Sequence, residues 1–416
     1  MQKRFSLLAF LCCFSALLTL HAQNPGCDGT RYKADVFTTV KKTTVAYAPS
    51  TSHLGDSISL MMDVYEPVGD ALSKRPVVVL AHGGSFMFGD RTMMQSYCEL
   101  LAKKGYVAAT ITYRLFPLFT LGFPDSVKIF DTAVKAVGDM KAAVRYFRED
   151  AATTNQFRAD AGNVFIGGYS AGAVTALHAA YLDLNDNIPT FLANLLPPNG
   201  GLEGNSGTAS NKTYSSSSKA VVNMSGGLYR KIWVDSTEVP MSSIHGDADG
   251  TVPYKAGLAA NIAFLEGSGR IHPYALSIGL ESYLLTVPGA GHTDLYDDAK
   301  YAPQRATFWT QTTTLLERLT CAIVGNQEPE QPSAEPWLLS PNPVTGDEFR
   351  VQLPLSLQSA DVWAYDAAGK KVLTVHHVPQ GGSVPIGHLP KGVYSIQIMD
   401  PQRPETAFAV QQLVRL

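Results

Sequence analysis

The chain of 416 residues has few cysteines, no excess of basic residues and, after its first 22 residues, no long apolar run. It carries 33 Lys and Arg residues against 36 Asp and Glu residues, a formal net charge of −3. Nucleic acids and anionic membranes bind clusters of basic side chains, and no such cluster occurs, so neither is an expected partner. Beyond residues 5–20 no stretch is apolar for long enough to cross a bilayer, so we expect no stable membrane span.

The five cysteines match no metal-binding spacing, so we expect no metal site. Two of them lie within the apolar N-terminal run, which leaves Cys27, Cys98 and Cys321. In an oxidising compartment Cys27 and Cys321 could form a disulfide that ties the ends of one domain together, because the ends of a domain often lie close. Cys98 falls in a predicted helix over residues 93–103 and is expected to pack as a small buried hydrophobic residue.

The N-terminus has the pattern of a secretory signal peptide. Lys3 and Arg4 precede the apolar residues 5–20, and the small residue Ala22 follows, which predicts a signal peptide over residues 1–22. A membrane anchor is the alternative, but the run is short and no stop-transfer flank follows it. Export removes two of the 33 basic residues and none of the 36 acidic ones, which makes the net charge −5. We therefore expect a secreted or cell-surface protein.

Two domains of different class follow the signal peptide. Residues 23–324 alternate predicted strands with helices, which indicates an α/β domain with a mostly parallel sheet covered on both faces. The clearest helix spans residues 126–149, and Phe130, Val134 and Phe147 are among the apolar residues on one face of it. Residues 325–336 have no apolar periodicity and are interpreted as a linker. Residues 337–416 contain only short predicted strands at 349–353, 362–365, 371–375 and 393–399, which indicates a small all-β sandwich.

A candidate nucleophile lies in the α/β domain. Residues 168–172 read Gly-Tyr-Ser-Ala-Gly, between a short apolar run at 163–166 and an Ala-rich run at 173–180. A serine on a sharp turn from strand to helix exposes its Oγ at the edge of the sheet, and it needs glycines where the two backbones approach. Ser170 is therefore the predicted nucleophile.

A serine nucleophile needs a base and an acid that orients the base, and the sequence supplies both after predicted strands. His292 follows the strand-like run 284–287 and a Gly-rich turn, a context that the other histidines lack. Asp249 follows the predicted strand 239–244 within His-Gly-Asp-Ala-Asp. Asp247 competes for the acid role, and we favour Asp249, with Asp247 as a turn residue that caps local amides.

A candidate oxyanion hole follows the apolar run 76–80, which is typical of a parallel strand buried on both faces. The run continues into His82-Gly83-Gly84-Ser85, a setting in which backbone amides face a substrate carbonyl oxygen. We expect the amides of Gly83, Gly84 and Ala171 to form the hole and His82 to be structural.

These motifs together resemble the α/β-hydrolase superfamily, in particular the carboxylesterase branch with hormone-sensitive-lipase-like and feruloyl or acetyl esterase members. The resemblance runs from about Val36 to Cys321 and includes Tyr113-Arg114-Leu115 after the strand-like run 107–111. It implies a serine esterase that hydrolyses a small-molecule or polymer-borne ester through a Ser-His-Asp triad and an acyl-enzyme, with no cofactor. A lipase, polyester hydrolase or peptidase on the same fold is the first alternative, and a non-catalytic surface binding protein is the second.

The C-terminal domain resembles the sorting domain of type IX secretion substrates of Bacteroidetes-type bacteria. The resemblance rests on Pro341-Asn342-Pro343 near its start, the predicted hairpin around 365–371 and Lys391-Gly392-Val393-Tyr394 near its end. It implies the secretion machinery as a partner, passage across the outer membrane and cleavage at the surface. A carbohydrate-binding or adhesive module is the alternative.

The insertion at residues 185–219 has two possible roles. Residues 185–219 are rich in Gly, Ser, Asn and Pro, too rich for a packed element. As a long insertion at the edge of the sheet they could cover the active site, or they could be an inert surface loop.

Overall fold

The computed structural model describes residues 26–321, 338–353, 357–366, 371–400, 403–407 and 411–416. The predicted signal peptide and the predicted linker at 325–336 lie outside these residues. The chain divides into two compact units, Met1–Ala322 and Ile323–Leu416.

The first unit is built on an eight-stranded mixed sheet, as expected for an α/β domain. Its strand order is β1-β2-β4-β3-β5-β6-β8-β11. The pairs β1–β2 and β2–β4 are antiparallel, and the other pairs are parallel. The strands are β1 Val40–Thr51, β2 Ser57–Pro67, β3 Arg75–Ala81, β4 Val107–Ile111, β5 Ala159–Tyr169, β6 Val221–Met224, β8 Met241–Gly246 and β11 Ser282–Val287. A small second sheet joins β7 Gly227–Leu228, β10 Ala263–Gly267 and β9 Ala256–Ala259 in that order.

Helices connect the parallel strands. The α-helices of this unit are α1 Gln95–Lys103, α2 Leu118–Leu121, α3 Ser126–Ala152, α4 Ala171–Tyr181, α5 Thr190–Ala193, α6 Ser268–Ser277, α7 Asp294–Asp297 and α8 Ala302–Cys321. Short 3-10 helices lie at Arg91–Met94, Pro197–Asn199, Gly201–Glu203, Asn211–Thr213, Lys231–Trp233 and Ala299–Tyr301. In the part of the chain that the structure describes, no helix is long and apolar enough to cross a membrane.

The core lies on both faces of the central strands. Every residue of β3 and β4 is buried, which explains their continuous apolar sequences. One apolar cluster packs against α3 and α4, and the other packs against α1 and α8. The two-sided packing fixes the ends of β3, β5, β8 and β11, which carry the site described below.

A disulfide joins Cys27 to Cys321 across 294 positions of sequence. The pairing expected from their positions near the ends of the domain is therefore present. Cys98 is a free, buried thiol in α1, also as expected.

The insertion at 185–219 is more ordered than its composition predicts, and the prediction that it is too polar to pack is wrong. Buried arginines hold its second half against the fold. Arg114 forms an ion pair with Asp139 and donates to Ser206 Oγ at 3.0 Å. Arg145 donates to Asn211 Oδ1 at 3.0 Å. Hydrogen bonds to buried guanidinium groups replace the apolar contacts that a composition-based prediction looks for.

The second unit consists of two antiparallel sheets with an apolar interior, as the sequence predicts for a small β domain. One sheet has the order β12-β13-β16, and the other has β15-β14-β17-β18 with β19 paired to β17. The strands are β12 Leu338–Ser340, β13 Glu348–Gln352, β14 Ser359–Tyr365, β15 Lys371–Pro379, β16 Gly382–Pro385, β17 Gly392–Asp400, β18 Arg403–Ala407 and β19 Gln411–Arg415. The core residues alternate along β14, where Ala360, Val362 and Ala364 are buried.

Candidate active site

Ser170 lies on the turn between β5 and α4, where the backbone is strained. Its φ of 55° and ψ of −121° are rarely adopted by residues with a side chain. The turn is fixed on both sides, because the Ser170 amide donates to the Met224 carbonyl at 2.9 Å and the Ser170 carbonyl accepts from Val174 at 2.9 Å. The surrounding strands therefore impose a conformation that the residue would not adopt by itself.

Glycines flank the turn because the chain passes close to the end of β3. A Cβ on Gly172 would lie 2.0 Å from the Ala81 carbonyl oxygen, and one on Gly168 would lie 2.5 Å from the same atom. Any side chain at either position would push the turn away from β3. The close approach of the turn to β3 is therefore the physical reason for glycine at positions 168 and 172, as the sequence motif predicted.

The three predicted polar side chains meet at the carboxyl ends of β5, β8 and β11. Ser170 Oγ lies 2.8 Å from His292 Nε2, and His292 Nδ1 lies 2.6 Å from Asp249 Oδ2. Ser170 and Asp249 are buried, and the His292 side chain is 10% exposed. A hydroxyl, an imidazole and a carboxylate in this order can transfer the hydroxyl proton to the imidazole while the carboxylate fixes its orientation.

Asp249 rather than Asp247 contacts the imidazole. Its other oxygen, Oδ1, accepts from the amides of Thr251 and Val252 at 2.8 and 2.9 Å. Burial acts to raise the pKa of the Asp249 carboxyl, but hydrogen bonds from His245 and His292 hold the pKa well below its usual range. Asp249 is therefore a carboxylate near pH 7.

Asp247 has a structural contact of its own. Its Oδ1 accepts from the Gly289 amide at 2.7 Å, which ties the loop after β8 to the loop after β11. The sequence assigned it to a local turn, whereas it joins the loops that carry Asp249 and His292.

The loop after β3 has unusual backbone angles at three consecutive residues. Gly84, Ser85 and Phe86 have φ values of 120°, 53° and 61°. A Cβ on Gly83 would lie 3.1 Å from Ser170 Cβ, so Gly83 lies directly against the serine. Among the described residues, the amides of Gly83, Gly84 and Ala171 have no acceptor, which leaves them available to a ligand.

His82 shapes this loop. Its buried ring stacks on Tyr113 with centroids 4.4 Å apart, and its Nδ1 donates to the Gly83 carbonyl at 2.7 Å. The Tyr113 hydroxyl donates to the His82 carbonyl at 2.8 Å. Burial lowers the pKa of His82, so the ring is neutral near pH 7. These contacts agree with the structural role expected for His82.

An apolar cleft opens beside Ser170. Its lining comes from six parts of the chain: the loop after β3, α3, α4 and its C-terminal end, the insertion at 185–219, the loop after β8 and the β9–β10 hairpin. Besides Ser170 and Ala171, the residues are Ser85, Phe86, Ile129, Phe130, Ala133, Val134, Val137, Val174, His178, Leu182, Leu192, Leu196, Gly201, Leu202, Thr251, Val252, Ala259, Ala260, Ile262, Ala263 and Leu265. The lining contains no Asp, Glu, Lys or Arg, so it suits an uncharged group. The first half of the insertion therefore forms part of the cleft wall.

His178 is a polar group in this lining, and both its nitrogens have partners. Nδ1 donates to the Val174 carbonyl at 2.8 Å, and Nε2 accepts from the Tyr229 amide at 3.2 Å. Burial lowers the pKa of His178 to about 4. It is a neutral, fixed part of the wall.

Three carboxylates in the described residues approach closely enough to share a cation, and they lie in other loops. These are Asp183, Asp235 and Glu238, whose oxygens lie within 4.8 Å of one another. Burial and the neighbouring carboxylates raise the pKa of Glu238 to about 8. Glu238 is therefore mostly protonated near pH 7.

Sequence reasoning missed several residues around the site. Tyr169 stacks on His292 with centroids 5.2 Å apart and donates its hydroxyl to the His292 carbonyl at 3.2 Å. His245 is fully buried and lies 3.3 Å from Asp249 Oδ2 through its Nε2. Both are within the quoted motifs, but a spacing pattern does not show which way a side chain points.

Comparison with known proteins finds a family model and curated relatives that match part of this chain. Residues 62–230 match the family model described as BD-FAE, and the matched segment contains the loop after β3 and the Ser170 turn. Esterase P of Drosophila melanogaster is 27% identical over 149 residues, which is 35% of this chain and 26% of that protein. Esterase-5A of Drosophila pseudoobscura pseudoobscura has the same identity and coverage. The chain spans about a quarter of the length of these curated relatives.

Among solved structures, esterase 2 of Thermogutta terrifontis phosphorylated by paraoxon is 19% identical, with a TM-score of 0.48. The match covers 68% of this chain and 95% of that one. The propionate-bound form of the same esterase is 18% identical, with a TM-score of 0.48, and covers 67% of this chain and 95% of that one.

The first unit has the α/β-hydrolase fold. Its parallel strands carry the serine, the aspartate and the histidine at their carboxyl ends, in the chain order that this fold uses. The second unit is an additional small β domain.

Proposed function

We propose that this chain is a secreted serine esterase that hydrolyses carboxylic esters through Ser170, His292 and Asp249. The observation that carries the proposal is the unbroken contact from Ser170 Oγ through His292 to Asp249, at 2.8 and 2.6 Å. The esterases among its relatives support the same reaction class.

The reaction proceeds in two acyl transfers. Ser170 Oγ attacks the ester carbonyl carbon while His292 Nε2 takes the hydroxyl proton, and the carbonyl oxygen becomes an oxyanion. The free amides of Gly83, Gly84 and Ala171 stabilise that oxyanion. His292 then returns the proton to the departing alcohol oxygen as the C–O bond breaks. A water molecule repeats the sequence on the acyl-enzyme and releases the acid.

The cleft selects an uncharged, apolar group on the ester. Ile129, Phe130 and Val134 of α3 line the cleft together with Leu192 and Leu196 of the insertion, and no charged side chain lies among the lining residues. Burial of apolar surface stabilises such a group by roughly 25 cal/mol per Å². We therefore expect kcat/KM to rise with the apolar size of the group until the cleft is full.

Active-site labelling tests the nucleophile. Wild type is expected to react with a fluorophosphonate probe and to hydrolyse p-nitrophenyl acetate, and Ser170→Ala is expected to do neither. Ser277→Ala is the matched control, because Ser277 is exposed on α6 and donates only to the Tyr274 carbonyl. Unlabelled wild type would refute the proposal and favour a non-catalytic binding protein, whereas equal labelling of Ser170→Ala would refute Ser170 as the nucleophile.

A substrate panel separates the alternatives on the same fold. Short p-nitrophenyl esters, triglycerides, a polyester film and dipeptide amides are offered to wild type and to Ser170→Ala in parallel. We expect hydrolysis of the soluble esters above all. Faster hydrolysis of triglyceride, film or amide would assign the chain to the lipases, polyester hydrolases or peptidases instead.

We also propose that the second unit directs the protein through type IX secretion to the outside of a Bacteroidetes-type cell. The Tyr394 hydroxyl donates to the Pro390 carbonyl at 2.6 Å, so the Lys391–Tyr394 motif forms a defined entry to β17. The test expresses the full chain in a host with a working type IX system and in a host that lacks it. We expect protein in the medium or on the surface of the first host and periplasmic retention in the second; equal distribution would refute the proposal.

A further inference from the structure

We propose that His245 is a positioning residue that holds the carboxylate of Asp249 against His292. The proposal rests on the esterase function, and it assigns a second histidine to the same acid. His245 lies on β8, four residues before Asp249, and neither nitrogen reaches solvent because the side chain is fully buried.

The contacts of His245 fix which nitrogen carries the proton. Nε2 lies 3.0 Å from the Val252 carbonyl oxygen and 3.3 Å from Asp249 Oδ2, and both of these atoms can only accept. Nε2 is therefore the protonated nitrogen, and it donates to both. Nδ1 must then accept, and it lies 2.8 Å from Ser268 Oγ.

A third side chain orients the Ser268 hydroxyl. Asn223 Oδ1 accepts from the Gly226 amide at 2.9 Å, which turns Asn223 Nδ2 toward Ser268 Oγ at 3.1 Å. Ser268 Oγ accepts there, so its own hydrogen is free to reach His245 Nδ1. A directed chain of hydrogen bonds thus runs from Asn223 on β6 through Ser268 on α6 to His245 and Asp249.

This series of hydrogen bonds affects the interaction between Asp249 and His292. Asp249 Oδ2 receives one hydrogen bond from His292 and one from His245, and the second withdraws negative charge from the oxygen that His292 contacts. Without His245 the carboxylate would keep that negative charge and would interact more strongly with the protonated form of His292.

The other titratable groups around Asp249 do not compete for this role. Burial raises the pKa of the Tyr169 and Tyr296 phenols well above 10, and the negative charge of Asp249 acts in the same direction. Both phenols are therefore neutral. Tyr254 presents only its ring to His245, and Asp247 turns its Oδ1 to the Gly289 amide.

Two substitutions at position 245 test the proposal. His245→Leu removes the donor at similar volume, whereas His245→Gln places an amide N–H where Nε2 was. For His245→Leu we expect kcat to fall roughly tenfold at unchanged KM, as for loss of one hydrogen bond to a charged group. The acidic limb of the kcat/KM profile should move to higher pH by up to about one unit. His245→Gln should return the limb to its wild-type position.

His272→Leu is the matched control, because His272 also pairs its Nδ1 with a serine hydroxyl, at 2.9 Å from Ser282 Oγ, and is outside the triad. It is expected to leave the pH profile unchanged. A profile of His245→Leu that keeps the wild-type limb, or equal profiles of the Leu and Gln variants, would show that His245 only supports the fold and would overturn the proposal.

Ser268→Ala provides a test if the Leu variant does not fold. It removes the donor to Nδ1, and ¹⁵N NMR of the histidine side chains reports the position of the proton without any substrate. We expect His245 protonated at Nε2 in both proteins, because the Val252 carbonyl and Asp249 Oδ2 remain its acceptors. The Nδ1 chemical shift should change in Ser268→Ala, where the hydrogen bond from Ser268 is lost. An Nδ1–H form in wild type would overturn the proposal. Failure of Ser170→Ala to abolish hydrolysis would instead overturn the esterase function, so the two failures are distinguishable.

Discussion

Strain at single residues marks the site. Ser170 has a φ of 55°, and the loop after β3 has three consecutive residues with positive φ. Each such residue costs of order 1–3 kcal/mol unless the residue is glycine, so the rest of the fold must offset it. The offset comes from the buried strands β3, β5 and β6, which hold both turns. Three of the strained non-glycine residues, Ser85, Phe86 and Ser170, therefore lie in the two turns beside the candidate nucleophile.

The identity of the acid can be tested at the residue scale. Asp249→Asn is expected to lower kcat by about 10³ to 10⁴-fold, because the amide no longer fixes the His292 tautomer. Asp247→Asn is the matched control and should leave kcat within a few-fold, since its contact is to the Gly289 amide. Esterase kinetics on both variants measure this. A larger loss in Asp247→Asn would assign the acid role to Asp247.

The loop after β3 gives a second prediction at this scale. Gly84→Ala is expected to lower the free energy of unfolding by about 2 kcal/mol or more. Its Cβ would lie 2.1 Å from the Phe88 carbonyl oxygen, and its φ is 120°. Ser85→Ala, at a position that already carries a Cβ, should change stability by less than about 0.5 kcal/mol. Urea unfolding measures both, and equal stability of the two variants would contradict the strain argument.

At the scale of the element, the apolar face of α3 lines the cleft along one part of its length and packs in the core along another. The sequence places Phe130, Val134 and Phe147 on that face. The structure divides the face: Phe130 and Val134 line the cleft, whereas Phe147 is in the core. Periodicity identifies an apolar face but does not tell whether a protein core or a ligand covers it.

The substitution Val134→Phe tests whether Val134 lines the part of the cleft that binds the ester. The larger ring is expected to fill part of the cleft, so kcat/KM for p-nitrophenyl octanoate should fall more than tenfold while the acetate ester loses only a few-fold. Val127→Phe is the matched control, because the same substitution is then made on the exposed side of the same helix, where Val127 is 48% exposed. Equal loss for both esters would place the acyl group elsewhere.

At the scale of the whole molecule, the first unit is closed by one covalent link. Cys27 and Cys321 lie 294 residues apart, so their disulfide restricts nearly the whole unfolded chain of this unit. Cys98 cannot exchange with it readily, since the thiol is buried and burial raises its pKa.

Removal of the disulfide is expected to lower the free energy of unfolding by about 2–5 kcal/mol. The double variant Cys27→Ser/Cys321→Ser and wild type are unfolded in urea with and without dithiothreitol. The reductant should destabilise wild type and leave the double variant unchanged. Insensitivity of wild type to the reductant would show that the link does not form in solution.

The acidic cluster gives a pH dependence to the stability of the first unit. Because the folded pKa of Glu238, about 8, is above its ordinary value of 4.5, the folded state binds the proton more tightly. The resulting stabilisation is present below pH 4.5 and is lost as the pH rises through 8. The group is partly exposed, so we expect a loss of only about 1–2 kcal/mol between pH 5 and pH 9.

Glu238→Gln should remove most of this dependence. Thermal unfolding of the variant and of wild type at pH 5, 7 and 9 measures it. We expect the Tm of the variant to rise relative to the Tm of wild type as the pH rises. Parallel curves of Tm against pH for the two proteins would contradict the assignment to Glu238.

The sequence by itself determined the α/β alternation, the candidate serine and histidine, and the pair of candidate aspartates between them in the chain. These features follow from local requirements: glycines at Gly168 and Gly172, a buried apolar run before each loop, and a turn after each strand. Only the tertiary structure decided which aspartate meets His292, that His245 supports it, that the insertion at 185–219 is anchored, and which part of α3 lines the cleft. Such features depend on contacts between segments far apart in sequence and on the directions of side chains, which local patterns do not encode.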